Sequence, residues 1–502
     1  DTVTVSQSGS IRTLGDGAHG IFAQSAGPHA SGVIAIDIAG SVDASGDEAK
    51  GIFAQSVTSK TVDAHGQPTS LKGGGNIAVR LAPGAFVSGG VSTQHGAGTG
   101  IRLEYGVGNT ITVASGATVT SRGGHKGYAI QATSGAETVF LAGTAIGNID
   151  LGSGGDRLDI QSGGRLESGS TLRSERVNLL AGGILSPMGA GTVGTTKLAG
   201  VLSASGGTFE VTLDAAKGTA DQVQVSDAVA MSGGKIAPVV IDIGSGDQAG
   251  RASILTGPDT SFNISTMPTV TQSAIGQFSL AKTATSLDLV YDIDFAAPLG
   301  ALGANNRRTA LHLSDLHRLG LFSHDSFSHL LGAADAVEYG GLLDRLSPHS
   351  YAATATISRQ SAGILVDRLM SCREREGFHR VVADGKCMRL DIFTSHHDRK
   401  ETGENPGWSL RSSGFAVGGQ WATGGDDEIG ASISYGPFTA EGDGGLWRSE
   451  ADQVTLGATI QRRFGDTTLA FALGAGFADV EHERDLAPGR VARSRQDTRF
   501  LM

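Results

Sequence analysis

Few residues of this chain have the types and spacing that chemistry requires. A serine hydrolase places its nucleophile on a tight turn, and neither Gly-x-Ser-x-Gly nor Gly-Asp-Ser-Gly occurs in the sequence. The histidines His312, His317, His324 and His329 would spread around a helix at about 100° per residue, which favours solvated histidines over a metal site. His396-His397-Asp398 falls in a stretch that we expect to be an outer loop. The sequence therefore predicts no catalytic, cofactor-binding or metal-ligating residue.

Two weaker chemical signals stay open. Asp and Glu are scattered through the first half, so carboxylates for glycoside cleavage could meet in space without a sequence signature. Residues 146–160 partly match a calcium-binding nonapeptide, with Gly154, Asp156 and Leu158 in place. Such sites need tandem copies, so this single copy favours an ordinary turn.

The only two cysteines, Cys372 and Cys387, lie close together near the middle of the C-terminal half. Scarce cysteine with one short-range pair is typical of an oxidising compartment. We expect a Cys372–Cys387 disulfide, with two unpaired thiols as the alternative.

The composition argues against nucleic-acid binding and leaves a membrane β-barrel possible. The formal net charge is −11 and no cluster of Lys and Arg occurs, so there is no footprint for phosphate binding. With 76 Gly and 18% charged residues, the chain is rich in Gly and poor in charge. It shows no leader, no initiator Met and no apolar run suited to a transmembrane helix, so we expect it to begin inside a mature protein or to be a fragment. Barrel strands need no such run.

A hexapeptide repeat organises the first half. GIFAQS occupies residues 20–25 and returns at 51–56, and looser copies occupy 76–81, 100–105 and 127–132. Positions 2 and 4 stay apolar while positions 3 and 5 vary, which is the period of two of a strand with one buried side. Such strands, recurring with Gly, Ser, Thr and Asn between them, predict a parallel β-helix whose coils bury their inward residues against one another.

Residues 388–502 alternate apolar side chains with small or polar ones over about five strands and the start of a sixth. This is typical of a transmembrane β-barrel, apolar toward lipid and polar toward a lumen, although a soluble antiparallel sheet can show it too. The residues predicted to face lipid are Phe415, Val417, Trp421, Ile429, Ile433, Tyr435, Val454, Leu456, Ile460, Leu469, Phe471, Leu473 and Phe477.

The predicted connections between these strands alternate in length. Residues 422–427 and 464–466 form short turns, whereas 396–407 and 437–450 are interpreted as long polar loops. Membrane barrels have short periplasmic turns and long outer loops, so a first strand near Arg389 should rise outward from the periplasm. The segment before it must then run back through the pore.

Helices are predicted between Arg307 and about Arg375, where Leu becomes frequent and Gly scarce. The part from Ala352 to Arg375 carries Arg359, Arg368 and Arg373 without a clean apolar stripe. This suits a helix in a polar pore, with an ordinary surface helix as the alternative.

Four segments carry a resemblance to a known family. They are GNIDLGSGGDRLDIQSGGRLESG (147–169), GGILSPMGAGTVGTTKLAG (182–200), GTFEVTLDAAKGTADQVQVSDAVAMSGGKIAPVV (207–240) and LLDRLSPHSYAATATISRQSAGILVDRL (342–369). In this order they resemble an autotransporter, a type V secreted protein of Gram-negative bacteria with a pertactin-like passenger. The family barrel resembles a closed ring of twelve strands ending on an aromatic residue, so we expect this sequence to be truncated at both ends.

The resemblance implies an all-β fold class in four parts. These are a right-handed parallel β-helix passenger (1–194), C-terminal passenger coils that nucleate folding (195–298), a linker and helical junction with the pore helix (299–387) and a partial barrel (388–502). It also implies outer-membrane lipid, the barrel-assembly machinery and periplasmic chaperones as partners, with the barrel in the outer membrane and the passenger at the cell surface or secreted. Asn305-Asn306 is similar to a self-cleavage site of some members, but its place before the pore helix favours a solvated linker.

Two classes of function follow. The leading hypothesis is a non-enzymatic autotransporter whose passenger is an adhesin or virulence-type surface factor, contacting an unknown host or matrix ligand through the outward positions 3 and 5. The alternative is a β-helix enzyme acting on polysaccharide, which carboxylates, or an Arg with carboxylates, converging in a groove would favour. A wholly soluble β-helix would require residues 389–502 to stay out of the membrane.

Overall fold

The computed structural model describes residues 2–27, 31–59, 71–91, 98–244, 248–321, 329–370, 380–383, 386–402, 407–465, 467–487 and 489–501. The chain divides into two compact units, Asp1–Asp294 with Leu316–Gly332, and Phe295–Asp315 with Ala333–Met502. Within the described ranges, no helix combines the length and the apolar character needed to cross a membrane.

The first unit is built from short strands. In chain order they are β1 (Val3–Gln7), β2 (Ser10–Thr13), β3 (Ile21–Gly27), β4 (Ile34–Ile38), β5 (Ser41–Ala44), β6 (Ile52–Ser59), β7 (Leu71–Gly73), β8 (Ile77–Leu81), β9 (Phe86–Gly89), β10 (Thr99–Tyr105), β11 (Asn109–Val113), β12 (Thr118–Ser121), β13 (Tyr128–Ala132), β14 (Glu137–Leu141), β15 (Thr144–Asp150), β16 (Arg157–Ile160), β17 (Arg165–Leu180), β18 (Ile184–Pro187), β19 (Thr195–Ser205), β20 (Thr208–Asp214), β21 (Thr219–Ala220), β22 (Gln222–Val225), β23 (Ala228–Ser232), β24 (Lys235–Asp242), β25 (Gln248–Thr256), β26 (Phe262–Thr266), β27 (Thr269–Val270), β28 (Gly276–Lys282) and β29 (Ser286–Ile293).

Most of these strands pair in parallel and form three faces that the chain visits in turn. The strands β1, β2 and β3 pair with β4, β5 and β6 of the next coil. Those pair in turn with β8, β9 and β10. Later strands such as β17 are long enough to turn a corner and serve more than one face. The parallel β-helix predicted from the repeat is confirmed.

The two identical hexapeptides lie against each other. Ile21 pairs with Ile52 and Gln24 with Gln55, and Ile52 pairs onward with Ile101. The glycine that opens each copy is required by the close approach of coils, because a Cβ on residue 20 or 51 would lie 2.7 Å from the carbonyl oxygen of the glycine in the next copy. The repeat is therefore one strand of one face, with its glycine set by packing.

Two of the looser copies are placed differently from the prediction. The assignment of residues 76–81 to the same face as the hexapeptides is wrong, because β8 lies on another face, between β4 and β11. The copy at 127–132 lies on the expected face but is shifted by two residues, so that Ile101 pairs with Ile130. Alternation reports which side chains point inward, and it does not distinguish the faces of one coil.

The first unit ends in antiparallel strands. Both β25 and β28 pair with β29, and Leu287 and Leu289 are fully buried there. Parallel pairing continues across residue 195 through β17, β19 and β22. The structure therefore has no break between the predicted passenger repeats (1–194) and the predicted C-terminal coils (195–298). That the latter nucleate folding stays a prediction.

In its described residues, the second unit joins three helices to one antiparallel sheet. The helices are α1 (Ala304–Arg318), α2 (Ala336–Leu346) and α3 (His349–Met370), and the strands are β30 (Arg380–Ala383), β31 (Lys386–Arg399), β32 (Trp408–Gly424), β33 (Asp427–Gly442), β34 (Trp447–Phe464), β35 (Thr467–Ala487) and β36 (Arg490–Leu501). Consecutive strands are neighbours in the sheet. Asp335 caps α2 by accepting from the N–H groups of Val337 and Glu338, and Pro348 stands directly before α3, where its missing N–H costs no helical bond.

Candidate functional site: the two faces of the C-terminal sheet

One face of the C-terminal sheet carries a broad apolar surface, which we name the apolar band. Phe415, Tyr435, Val454 and Phe477 form one row across four strands, and Trp421, Ile429, Ile460 and Phe471 form another. The band consists of the predicted lipid-facing residues Phe415, Val417, Trp421, Ile429, Ile433, Tyr435, Val454, Leu456, Ile460, Leu469, Phe471, Leu473 and Phe477, all exposed except for the half-buried Val417 and Val454.

The sequence analysis missed the part of the band on β31. Met388, Leu390 and Ile392 are all exposed on this face. Between them, Arg389 and Asp391 point to the other face and form an ion pair, with Nε 2.8 Å from Oδ2. The alternation of apolar and charged residues was the signal available for this strand.

The opposite face, the inner face, is small and polar. Its buried polar residues are Gln420, Ser432, Ser434, Gln453, Thr455 and Thr459. Ser434 and Thr455 hydrogen-bond each other through their hydroxyl groups. Buried polar groups need partners, and several of these find them on a helix.

Helix α3 lies on the inner face. Ser361 Oγ donates to Gln453 Oε1 at 2.7 Å, and Gln420 Nε2 donates to the carbonyl oxygen of Leu369 at 2.8 Å. Gly457 leaves room for the helix, since a Cβ there would lie 2.6 Å from Leu369 Cδ1. The side chains of Arg359 and Arg368 and the whole of Cys372, Arg373 and Arg375 lie outside the described residues.

Helix α3 runs along the strands in a defined direction. We name the end of the sheet at which the chain passes from β32 to β33 and from β34 to β35 the turn end, and the opposite end the far end. Tyr351 hydrogen-bonds Ser494 at 2.6 Å toward the far end, and its ring lies 4.6 Å from that of His482. Leu369 meets Gln420 close to the turn end. The chain thus passes from the far end to the turn end before β31 begins there.

Toward the far end the two faces exchange character. Here the inner face carries a buried apolar cluster, which we name the apolar collar: Trp408, Leu410, Phe438, Ala440, Trp447, Ala451, Ala478 and Val480. On the outer face, Arg448 pairs with Glu441 and Glu450. Two further outer pairs join Arg495 to Asp479 and Arg493 to Glu483.

The exchange explains why one predicted loop is wrong. Of the region 437–450, residues 437–442 belong to β33 and residues 447–450 to β34. Outward residues there, such as Glu441 and Arg448, are charged, and inward residues such as Phe438 are apolar, so the pattern followed in the band inverts. The region 396–407 is strand only as far as Arg399, and residues 403–406 lie outside the described residues. The connections predicted at 422–427 and 464–466 are short as expected, but the first is shorter than its predicted bounds, because β32 continues to Gly424 and β33 begins at Asp427. Residue 466 lies outside the described residues.

Several residues singled out by chemistry have other surroundings than predicted. His317 is buried, with Nε2 3.3 Å from the carbonyl oxygen of Ile243, so it is not a solvated histidine. His396 and His397 lie on β31 and not in a loop, and His396 pairs with Asp398. Asn306 lies in the first turn of α1, not in a linker, and its side chain donates to the carbonyl oxygen of Gly340. His324 lies outside the described residues.

Of the two cysteines predicted to form a disulfide, only Cys387 lies among the described residues. Cys387 is buried and disulfide-bonded. Cys372 lies outside the described residues, so its pairing stays a prediction.

The outward side of β3, β6 and β10 carries a row of aromatic, amide and charged groups, which we name the contact row. The rings of Phe22 and Phe53 lie 5.1 Å apart, and Lys50 Nζ lies 5.3 Å from the centre of the Phe53 ring. Along the same strands Gln24 donates to Gln55, and Gln55 Nε2 donates to Glu104 at 3.0 Å. Phe22 remains 54% exposed, which leaves an aromatic surface available to a ligand.

An Arg and two carboxylates also converge on an outward side of this unit. Arg165 Nε donates to Glu167 at 2.7 Å, and its terminal nitrogens donate to both carboxylate oxygens of Glu210. Burial tends to raise the pKa of Glu210, but the hydrogen bonds from Arg165 and Ser186 outweigh it and leave that pKa lowered. A carboxylate held ionised by its neighbours is poorly suited to donating a proton, so this cluster is an ion-pair network between coils.

A polar cleft lies beside the last parallel coils. Its volume is about 690 Å³, and it is lined by residues 191–195 together with Asp214, Lys217 and Arg251. Each cation has a carboxylate partner, Lys217 with Asp214 and Arg251 with Asp288. The sequence analysis missed this cleft because its residues come from separate coils.

A buried carboxylate pair joins two neighbouring coils. Glu137 and Asp156 are each 1% exposed. Asp156 Oδ1 accepts the backbone N–H of Glu137 at 3.1 Å, and Glu137 Oε1 accepts from Asn109 at 2.8 Å. Burial, together with Asp156, raises the pKa of Glu137 to about 8, and burial also raises the pKa of Asp156. Asp156, the aspartate of the nonapeptide match, is thus engaged with the preceding coil.

A curved antiparallel sheet that is apolar outside, polar inside and lined by a helix is the wall of a transmembrane β-barrel. Residues 389–500 match the family model described as autotransporter beta-domain. The C-terminal sheet is therefore an autotransporter beta-domain, which is a β-barrel domain of the outer membrane. No curated protein matches the chain significantly.

Proposed function

We propose that the C-terminal domain exports and anchors the N-terminal β-helix, and that the β-helix acts at the cell surface as an adhesin or similar surface factor without enzymatic activity. The observation that carries this proposal is the path of α3 along the inner face. A segment that enters at the far end and leaves at the turn end joins a passenger outside to strands that start in the periplasm. Outer-membrane lipid would cover the apolar band, and the barrel-assembly machinery and periplasmic chaperones are the partners that the family suggests.

The orientation in the membrane follows from where the outer charges lie. From Val454 to Phe464, where the outward side carries one charged residue, Arg462, a tilted strand rises about 25 Å along the membrane normal, which suits the thickness that barrels present to lipid. Beyond the far end, charged outward residues occupy several successive rows, whereas at the turn end the outward pair of Arg462 and Asp427 lies directly beside the turns. We therefore assign the far end to the outside and the turn end to the periplasm.

Cysteine labelling on intact cells tests this topology. Asp443→Cys at the far end and Leu14→Cys in the β-helix should react with a membrane-impermeant maleimide, because both positions are exposed. Asp426→Cys, in a turn at the other end, should react only after the outer membrane is permeabilised. Labelling of the Asp426 variant on intact cells, with the Asp443 variant protected, would reverse the orientation and sink the proposal.

The contact row supports adhesion as the role of the β-helix. An exposed ring beside cationic and amide groups offers stacking and hydrogen bonding spread over several coils. We expect the Phe22→Ser, Gln24→Ala double variant to lower the attachment of expressing cells to cultured host cells or matrix-coated wells. Arg80→Ala, an exposed change on a different face, is the matched control. Equal attachment of both variants and the parent chain would argue against this surface.

The alternative function, a polysaccharide-active enzyme, is favoured only by the cleft with Asp214 and Arg251. Glycoside cleavage needs a carboxyl group that can donate a proton, and Asp214 is paired with Lys217. Incubation of the full chain and an Asp214→Asn variant with bacterial and host polysaccharides distinguishes the two proposals. Release of reducing ends by the parent chain alone would favour the enzyme.

A further inference from the structure

The apolar collar lies on the wrong face for lipid and needs another explanation. The row of Tyr435, Val454 and Phe477 is the last apolar row outside. Three residues further along β33, toward the far end, Phe438 faces inward beside Ala451, which pairs with Val480. Four strands change at the same level, so the inversion belongs to the wall as a whole.

The helical segment passes through this level. Arg484, in the row of Trp447, donates to the carbonyl oxygens of Leu346 and Ser347, at 3.3 and 2.9 Å. Tyr351 contacts His482, which pairs with Ser449 in the row between Trp447 and Ala451. Below the collar, Ser361 bonds to Gln453. The collar therefore lies beside the stretch from the end of α2 to the middle of α3, on the side of the segment that faces β32 to β35.

The collar residues are buried although the strand segments that bear them carry charges outside. Trp408, Leu410 and Phe438 are 6%, 2% and 4% exposed, and Val480 is fully buried. Below them the inner face offers hydroxyl and amide groups that can hold water in a lumen, such as Gln420 and Thr459. Water and ions that enter a polar lumen meet a constriction at its outer end that is apolar except for Ser449 and His482, which hydrogen-bond each other.

We propose that the apolar collar is the seal of the exported state: it closes the outer mouth of the lumen to water and ions by packing around the α2–α3 segment. An apolar constriction blocks ions because their hydration cannot be replaced there, whereas the hydroxyl-lined part below would leave a hydrated path beside the helix. This inference rests on the proposed function, since it requires a lumen through a membrane.

Conductance measurements on the full-length protein in planar lipid bilayers test the seal. Phe438→Ser and Leu410→Ser should raise the open-state current several-fold over the parent chain, because each places a hydroxyl group in the collar. Val491→Ser makes a similar chemical change on the outward side of β36, beyond the apolar band, and should leave the current unchanged. Phe438→Leu keeps the collar apolar and should also remain closed.

Smaller changes keep the test decisive if these variants fold poorly. Ala440→Ser and Ala451→Ser add one hydroxyl each with little change in volume, and together they should give a smaller rise in current. Electrophoretic mobility before and after heating reports whether each variant is a folded barrel. Folded collar variants as tight as the parent would overturn the seal while leaving the export proposal intact. Absence of the parent chain from the membrane would overturn the export proposal itself.

Discussion

The most unusual pair of residues in the β-helix is Glu137 and Asp156. Two carboxylates buried in adjacent coils cannot both be ionised without a large cost, and burial together with Asp156 raises the pKa of Glu137 to about 8. Glu137 Oε2 and Asp156 Oδ2 are buried and have no hydrogen-bonding partner among the described residues, so a proton on Glu137 has Asp156 as its nearest available acceptor. We therefore expect the contact between these coils to depend on pH.

Raising the pH should loosen these two coils. The pKa of Glu137 is about 8 in the folded chain and near 4.5 when exposed, so between these values the folded state binds more protons than the unfolded state. Stability is therefore lost as the pH rises toward 8. Corrected amide exchange of Glu137–Leu141 should quicken by roughly tenfold per pH unit between pH 6 and 8, if it occurs by an opening that exposes the pair.

Glu137→Gln keeps the shape of the side chain and removes its titration. The amide can donate to Asp156 at any pH, so the additional pH dependence of exchange should disappear. Glu48→Gln changes an exposed carboxylate and should keep the pH dependence of the parent chain. An unchanged slope in Glu137→Gln would show that another group titrates.

Gly457 sets the distance between β34 and α3. Valine at this position should displace the helix, because its side chain would overlap Leu365 and Leu369, at a cost of about 1–3 kcal/mol. We expect the α3 segment of Gly457→Val to be cut by added protease in the folded domain. Ala458→Val makes a similar addition one residue on, toward the outer face, and should leave α3 protected. Equal protection in both would mean that Gly457 does not position the helix.

The sequence predicted which side chains share a face of a strand. It did not predict which residues of neighbouring strands or coils those side chains contact. A period of two placed Phe415 and Ile433 on the apolar band correctly, since alternation fixes the face of every residue in a strand. The contact of Glu137 with Asp156 could not be predicted, because it depends on which residues of successive coils are level with each other. The same ambiguity assigned residues 76–81 to the wrong face.

At the scale of elements, each long strand has two segments with opposite inside and outside. β35 is 21 residues long, with Phe471 and Phe477 outward in one segment and Val480 inward in the other. The sequence analysis followed only the outward apolar pattern and therefore placed a loop at 437–450. A pattern whose parity inverts resembles a loop unless both faces are followed, so the fold type was predictable and the strand lengths were not.

A lysine on β33 should distinguish the two segments. Ile433→Lys puts a charge within the apolar band and should cost about 2–4 kcal/mol at the middle of a bilayer. The expected result is less folded protein in the outer membrane, measured by heat-dependent mobility and by fractionation. Thr439→Lys lies on the same outward side beyond the band, beside Glu450, and should insert normally. A defect of similar size in Thr439→Lys would place that residue in lipid as well.

At the scale of the whole molecule, the two units are stabilised by different means. Each coil of the β-helix is buried by its neighbours, so its stability accumulates along the stack and the terminal coils must be covered. The barrel wall instead needs lipid on one face and the helical segment on the other. The sequence predicted both architectures because each has a distinct repeat. It did not predict which residues cover the terminal coils of the β-helix.

Damage to the covered end of the β-helix should therefore spare the barrel domain. Leu289 on β29 is fully buried, and aspartate there would bury an unpaired charge at a cost of several kcal/mol. We expect Leu289→Asp to lower the protease-resistant amount of β-helix, while the C-terminal domain keeps its heat-dependent mobility. Gln277→Asp, an exposed change on the neighbouring β28, should leave both properties unchanged. If Leu289→Asp also abolished the folded barrel, the two units would fold as one, and the stack could not be the independent cargo that export requires.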